Sequence, residues 1–550
     1  MSESRRELRK DLIILIILLS CFFGYGIGNR PFSTPDEGRY VEIPREMTVT
    51  GDWITPRLNG LKYFEKPVLF YWLQALTIKV FGLHFWSMRL WVAFFAILGG
   101  LLVYGAGRTF FSRQTGFYAA GILATTLLYY IHSRYILLDL VVAIFISGTL
   151  VLAYGALQFP ARKNPLLLGA YACAALACLT KGLIGIVLPG LIFVVWGLVT
   201  GNFLRIFSLF SWRGTTLFFL IAAPWHILVC WKNPDFAYFY FIREHFLRYT
   251  TTMHNHSFPF YFFFGIIILG WIPWVSLLGT LTIDTWRRLR AGRSLSAEES
   301  AAQFFFWWAA VVLAFFSFSS SKLIPYILPL FPPLALLSAH TLLLREEQGR
   351  KQTLRCYGIV DLLIIGGVIG YGFYRLPSLI SFDLIPVGIL GGTIGFALLT
   401  AACPLFYPGP RGGFVKIAAA TQMLLMINQL APSIQECINP SIKPLAEIVA
   451  LNARPEDRIF CLDMYFQDLP VYLKRLVDIA GWTDELTFGM EAENVAHRMM
   501  PSEGLWPILA GPQRVFVFAK KSNYRWHWQN LHFPHRILAE TSRDILFTNK

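Results

Sequence analysis

The sequence predicts a polytopic α-helical membrane protein that ends in a small extracytoplasmic α/β domain. Apolar residues make up 55% of the 550 positions and charged residues only 15%. The mean hydropathy is +0.52, a balance outside the range of ordinary soluble domains. The apolar residues gather in runs of about 20, the length that crosses a ~30 Å hydrocarbon core as a helix. After Pro432 these runs stop and charged residues return.

Arg5, Arg6, Arg9 and Lys10 precede the first apolar run, Asp11 to Gly28. A cleaved leader would leave a small-residue cleavage site. None follows Gly28, so this run is expected as a retained first span with the N-terminus in the cytoplasm. About thirteen spans are expected, near 12–28, 84–107, 116–131, 139–158, 166–180, 182–199, 214–231, 259–283, 303–319, 322–343, 356–374, 383–403 and 414–430. Every loop then assigned to the cytoplasm is basic. These loops hold Arg108 and Arg113, Arg162 and Lys163, Arg205 and Arg213, Arg287 to Arg293, Arg345 to Arg355, and Arg411 and Lys416, as the positive-inside rule requires.

An odd span count puts the residues after Pro432 outside, in the periplasm of a Gram-negative cell. The expected division is 1–431 for the membrane domain and 432–550 for the periplasmic domain. In the latter, Arg458 to Leu462 and Arg514 to Ala519 read as buried strands bounded by turn residues.

The net charge of +15 is not a nucleic-acid signal, because no basic-aromatic soluble module carries it. Most of the eight cysteines lie inside apolar runs, where cysteine acts as a small hydrophobe. Cys437 and Cys461 lie past the last run, and counting alone does not settle whether they pair.

Two extracytoplasmic loops hold most of the polar chemistry. The first, Asn29 to about Leu83, includes Val68-Leu-Phe-Tyr-Trp-Leu73, which suits a helix lying on the membrane surface. It opens on Ser33-Thr-Pro-Asp36-Glu37-Gly-Arg39-Tyr40, where Thr34 or Asp36 is placed to cap the following helix. In isolation Asp36 and Glu37 need only charge a helix start. Glu65-Lys66-Pro67 follows in the same loop, and Asp139 opens a span after Arg134. Carboxylates at a membrane boundary are costly unless paired or functional, so together these read as a site.

Further blocks complete the pattern: Phe64-Glu-Lys-Pro67, Arg134-Tyr-Ile-Leu-Leu-Asp139, Thr180-Lys181-Gly182 and Ser320-Ser-Lys-Leu-Ile-Pro-Tyr326. With Pro-Asp-Glu-Gly-Arg-Tyr these resemble, in order, the lipid A 4-amino-4-deoxy-L-arabinose transferases. That family belongs to the membrane-embedded GT-C glycosyltransferases, which also contain the protein O-mannosyltransferases. The resemblance spans roughly the first 430 residues, and the C-terminal domain adds no motif. It implies an undecaprenyl phosphate-aminoarabinose donor, a lipid A phosphate as acceptor, and resistance to polymyxin and other cationic peptides. A monomer among membrane lipids, with no nucleic-acid partner, is expected.

The residues fit that chemistry. A departing phosphodiester gathers negative charge as the bond to the sugar C1 breaks, and cations must meet it. Lys66, Arg39, Arg134 and Lys181 are the candidates, with Tyr63 and Tyr326 as hydroxyl donors; each cation has the alternative of snorkelling to headgroups. Asp36, matching the first carboxylate of the family's acidic pair, is the expected catalytic group. A phosphate acceptor is already largely ionised, its second pKa being about 6, so Asp36 orients the acceptor or steadies the sugar cation as much as it removes a proton. Glu37 and Asp139 are carboxylates available to the donor's ammonium.

No cofactor is required. His254 and His256, with Glu65 or Asp139, have a spacing that suits a divalent ion such as zinc in an extended segment. Two alternatives stand beside this reading. One is a GT-C transferase acting on protein Ser/Thr or another glycan; the other is a lipid transporter, which would carry paired charges or broken helices at mid-span.

Overall fold

The computed structural model describes residues 2–247, 258–279, 295–379, 384–530 and 534–550. It divides into two compact units. The first comprises Met1–Ile27, Arg89–Pro377 and Pro386–Leu430, and the second Gly28–Met88, Ser378–Ile385 and Ala431–Lys550. The long first loop therefore groups with the C-terminal residues.

In the first unit, nine helices among the described residues are long and apolar enough to cross a membrane. They match nine of the thirteen expected runs. The run at 12–28 lies in α1 (Ser2–Gly24), whose first half carries Glu7, Arg9, Lys10 and Asp11. The run at 116–131 divides into α5 (Arg113–Ala124) and α6 (Leu127–His132). At the break, the Thr125 and Thr126 hydroxyls donate to carbonyls of the preceding turn, the local competition that ends helices. The run at 182–199 is the 17-residue helix Ile184–Thr200, stopped by Gly201 at φ 71°. The run at 259–283 begins as Phe262–Gly270, breaks at 271–275 around Pro273, which has no N–H to extend the ladder, and is helical again at 276–279.

Two spans are the most enclosed among the described residues, Ile324–Glu347 and α7 (Leu138–Gln158), 89% and 83% buried over their apolar windows. Helix α4 (Leu90–Phe110) meets α5 at Gly107 and Gly116, where a Cβ on Gly107 would lie 2.6 Å from the Gly116 Cα. Only glycine permits that approach. Several basic residues assigned to cytoplasmic loops have a second task. Arg108 and Arg113 hold buried Asp11 at 2.9 and 2.6 Å. Lys416 holds buried Asp361 at 2.5 Å, and Ser276 donates to Asp361 from its backbone and its hydroxyl. Unpaired, these carboxylates would be expensive inside the bundle.

In the second unit, α2 (Asp36–Thr50), the hairpin β1 (Arg57–Leu58) with β2 (Leu61–Lys62), and α3 (Leu69–Phe81) come from the first loop. The C-terminal residues build a six-stranded sheet in the order β5-β4-β3-β6-β8-β7. Its strands are β3 (Arg458–Leu462), β4 (Asp478–Ala480), β5 (Met499–Met500), β6 (Val515–Lys520), β7 (Arg536–Glu540) and β8 (Asp544–Thr548). The first four are parallel, with Phe460 opposite Val517, and β8 runs antiparallel to β6. The two expected strands are β3 and β6. Both read as continuous apolar runs because both faces are covered, and Phe460, Leu462, Val515, Val517, Ile545 and Phe547 form a core. Cys437 and Cys461 are free thiols, the latter buried on β3. From β3 the chain moves to β4 on one side and later returns to β6 on the other, a topological switch at the carboxyl end of β3.

Candidate active site

Helix α2 starts at Asp36. The expected Thr34 or Asp36 cap does not form: the residue before the helix is Pro35, with no side-chain cap. The first helical N–H groups, of Glu37 and Gly38, donate to the Ser33 carbonyl, and the Glu37 carboxylate accepts the Ser33 N–H at 3.0 Å. The Thr34 hydroxyl instead donates to Asp468. Asp36 and Glu37, adjacent in sequence, therefore have different fates. Glu37 is fully buried and gripped by Arg30 at 2.6 and 3.1 Å, and Arg30 also donates to Gln435. Asp36 is 40% exposed and 3.1 Å from Arg39.

Arg39 is the centre of this cluster. One guanidinium nitrogen reaches the Tyr63 hydroxyl at 3.0 Å and the Glu485 carboxylate at 2.8 Å, while the other takes Asp36. Burial opposes Arg39's charge, but Glu485, Tyr63 and Asp36 more than restore it and hold its pKa above the ordinary value. Tyr63 is buried and its phenol is pushed up by that burial, so it stays a neutral hydroxyl. Burial raises the Glu485 carboxyl, Arg39 opposing. Lys66 lies 3.7 Å from the Glu65 carboxylate and donates to the Glu65 carbonyl at 3.0 Å. Gly38 lets α2 lie against the chain after β3, since a Cβ there would be 2.5 Å from the Asp468 nitrogen.

Further along α2, Glu42 is held by Arg45 at two distances of 2.6 Å. Glu46 accepts the Gly60 N–H at 2.9 Å, which ties the β1–β2 hairpin to α2. Burial, then the charge of Glu42, drives the Glu46 pKa well up.

The first unit holds a second polar group. Asp139 sits in the first turn of α7 and Lys181 in the last turn of α8 (Lys163–Lys181), the signs each helix end favours. They form an ion pair, and the Lys181 ammonium lies 4.1 Å above the Tyr326 ring. Arg134 goes elsewhere: it donates to the carbonyls of Phe22 and Tyr25 at the end of α1, at 2.8 and 2.7 Å. That is a cation closing a helix C-terminus, and it differs from the phosphate contact expected of it.

Sequence reading named Asp36, Arg39, Tyr63, Glu65, Lys66, Asp139, Lys181 and Tyr326 as one site; the first five lie in the second unit and the last three in the first. It missed Glu485, Gln467 and Asp468, which carry no local motif; a signal existed only for Asp468, an acidic residue soon after the expected strand 458–462. His254 and His256 lie outside the described residues, and among those described no group of three His, Cys, Asp or Glu side chains is placed to hold a metal ion.

The family model for dolichyl-phosphate-mannose-protein mannosyltransferases matches residues 32–240. The crystal structure of ArnT from Cupriavidus metallidurans bound to undecaprenyl phosphate superposes with a TM-score of 0.81 and 27% identity, covering 98% of both chains. The apo form superposes with a TM-score of 0.80 and 26% identity. Fold and site together define a membrane-embedded glycosyltransferase of the GT-C type. An undecaprenyl phosphate-α-4-amino-4-deoxy-L-arabinose arabinosyl transferase of Aeromonas salmonicida is 30% identical over 75% of this chain and 73% of its own. The chain belongs to that arabinosyl transferase family. Two relatives of the same name from Proteus mirabilis are 31% and 33% identical, and the matches span 66% and 58% of their lengths.

Proposed function

We propose that this protein transfers 4-amino-4-deoxy-L-arabinose from undecaprenyl phosphate to a phosphate of lipid A, at the periplasmic face of the bacterial inner membrane. The modification puts an ammonium where lipid A carried bare negative charge, which lowers attraction for polymyxin and other cationic peptides. The carrying observation is the 98% mutual coverage with the undecaprenyl phosphate-bound ArnT structure.

In the reaction an acceptor phosphate oxygen bonds to the sugar C1, and the C1–O bond to the carrier breaks. The electron pair leaves on undecaprenyl phosphate. Lys66, on a chain restrained by Pro67, meets the carrier phosphate as a point charge. Asp36, partly open to solvent and steadied by Arg39, orients the acceptor or takes its proton where one remains. Tyr63 is a neutral hydroxyl beside Arg39. In the membrane unit, Asp139, Lys181 and Tyr326 are the corresponding candidates, while Arg134 and Glu37 act as supports. No metal or cofactor enters the scheme.

Mass spectrometry of lipid A from cells with and without the gene tests this. The added aminoarabinose has its own mass, and its absence from expressing cells would refute the reading. The match to protein mannosyltransferases over 32–240 favours a second reading, a transferase acting on protein Ser/Thr; glycosylated periplasmic protein with unmodified lipid A would establish it. For the topology, alkaline phosphatase fused after Lys550 is expected to be active, and an inactive fusion beside an active cytoplasmic reporter would refute a periplasmic C-terminal domain.

A further inference from the structure

The first turns of α2 rest on the segments that leave the carboxyl ends of β3 and β4. Gly38 approaches the backbone of Gln467 and Asp468, and Thr34 donates to Asp468. Glu485, in the short 3-10 helix Asp484–Leu486 beyond β4, reaches Arg39 at 2.8 Å. Its other oxygen accepts from the Gln467 amide at 2.7 Å, so the carboxylate is fixed from both sides. Carboxyl ends at a topological switch are where doubly wound sheets present functional side chains.

We propose that Glu485 is a positioning residue that holds the Arg39 guanidinium beside Asp36, so that the C-terminal domain takes part in sugar transfer. The proposal deepens the transferase reading and rests on it. Arg39 is shared between two carboxylates, Asp36 and Glu485. Because Glu485 takes part of the cation's attraction, Asp36 keeps more of its basicity than it would facing Arg39 alone. Glu485 itself touches no reacting atom. The titratable groups around it are Arg39, Tyr63, Glu65, Tyr71, Tyr465 and Asp484. Removing its charge leaves Asp36 as the carboxylate ion-paired with Arg39 in this cluster.

The test uses the full-length protein in detergent, with undecaprenyl phosphate-aminoarabinose as donor and lipid A as acceptor. Glu485→Gln is expected to lower kcat about tenfold, with donor KM changed less than about threefold. The acid limb of its kcat profile should move down by about 0.5–1 pH unit, because Arg39 then acts on Asp36 undivided. Glu485→Asp keeps the charge and should recover most of kcat and return the limb toward wild type. A Gln variant with wild-type kcat and pH profile overturns the proposal. So does a loss of kcat with an unmoved acid limb, which marks a purely structural contact. If the Gln variant does not fold, Gln467→Met, which removes the second hold on the Glu485 carboxylate, decides: a lowered kcat with a displaced acid limb supports positioning, and a wild-type kcat and profile overturn it. Wild-type protein that transfers no sugar overturns the transferase reading and this proposal with it.

Discussion

Asp36 and Asp139 both stand in the first turn of a helix, yet the two regions hold them differently. Asp36 is 40% exposed, and the arginine beside it is shared with Tyr63 and Glu485. Asp139 is 9% exposed and ion-paired with Lys181, which is itself packed on the Tyr326 ring. A helix start rewards an acid in either place. What differs is the cost of disturbing it. Water can resolvate Asp36 when its partner changes, whereas the Asp139–Lys181 ion pair lies in a largely buried setting, and a change to one strands the second.

That contrast orders the expected effects. Asp36→Asn should reduce transfer about 10²–10⁴-fold with a thermal midpoint close to wild type; a variant retaining most of its rate would reduce Asp36 to a charge on the first turn. Asp139→Asn should instead cost about 2–4 kcal/mol of stability in detergent by leaving Lys181 unpaired. Asp139→Asn with Lys181→Met should be more stable than either single change. Singles that add up independently in this double-mutant cycle would dissolve the pair as a structural unit.

Lys66→Ala should weaken donor use by about 1.5–3 kcal/mol, the worth of one charge-assisted hydrogen bond, read from transfer rate against donor concentration. Lys66→Arg should restore part of it. Equal kinetics for wild type and Ala would remove Lys66 from the site, and a collapsed melt would make it a support for Glu65.

The smallest effect concerns Asp468, whose carboxyl burial pushes up to about 7, the Thr34 hydroxyl opposing. A raised folded-state pKa means the folded chain binds this proton more tightly than the unfolded one. Its contribution is therefore fully present below about pH 4 and lost as pH rises through about 7. Asp468→Asn keeps an acceptor for Thr34 and carries no charge. It should flatten this dependence and raise stability above neutral pH by about 1 kcal/mol, measured as hydrogen-exchange protection of β3. An unchanged slope would show that Asp468 does not titrate in this range.

Much of the molecule was legible in the sequence because hydropathy and helix-end chemistry are local. The apolar runs matched nine helices, and the Val/Ile/Phe-rich runs 458–462 and 514–519 matched β3 and β6 within a residue. The interruptions were harder to read. Thr125 and Thr126 sit in an apolar stretch, and whether their hydroxyls bond back to the previous turn depends on a choice of rotamer that composition does not record. Asp36 and Glu37 looked like one acidic pair. Their separation, one to Arg39 and the other to Arg30, depends on which face of α2 is buried.

What the sequence by itself determined is the membrane-embedded class of the protein, where most of its long helices lie, and which loop gathers the charged residues. These follow from transfer free energies and capping, which act over one or two turns. The tertiary structure decided the partners. It bound Thr34 to Asp468 across 434 positions, brought Glu485 to Arg39, and seated Arg134 on the carbonyls at the end of α1. Such pairings are set by the packing of α2 on the carboxyl edge of the sheet and of α1 within the bundle, where a buried charge must find its counterpart wherever the folded chain supplies one.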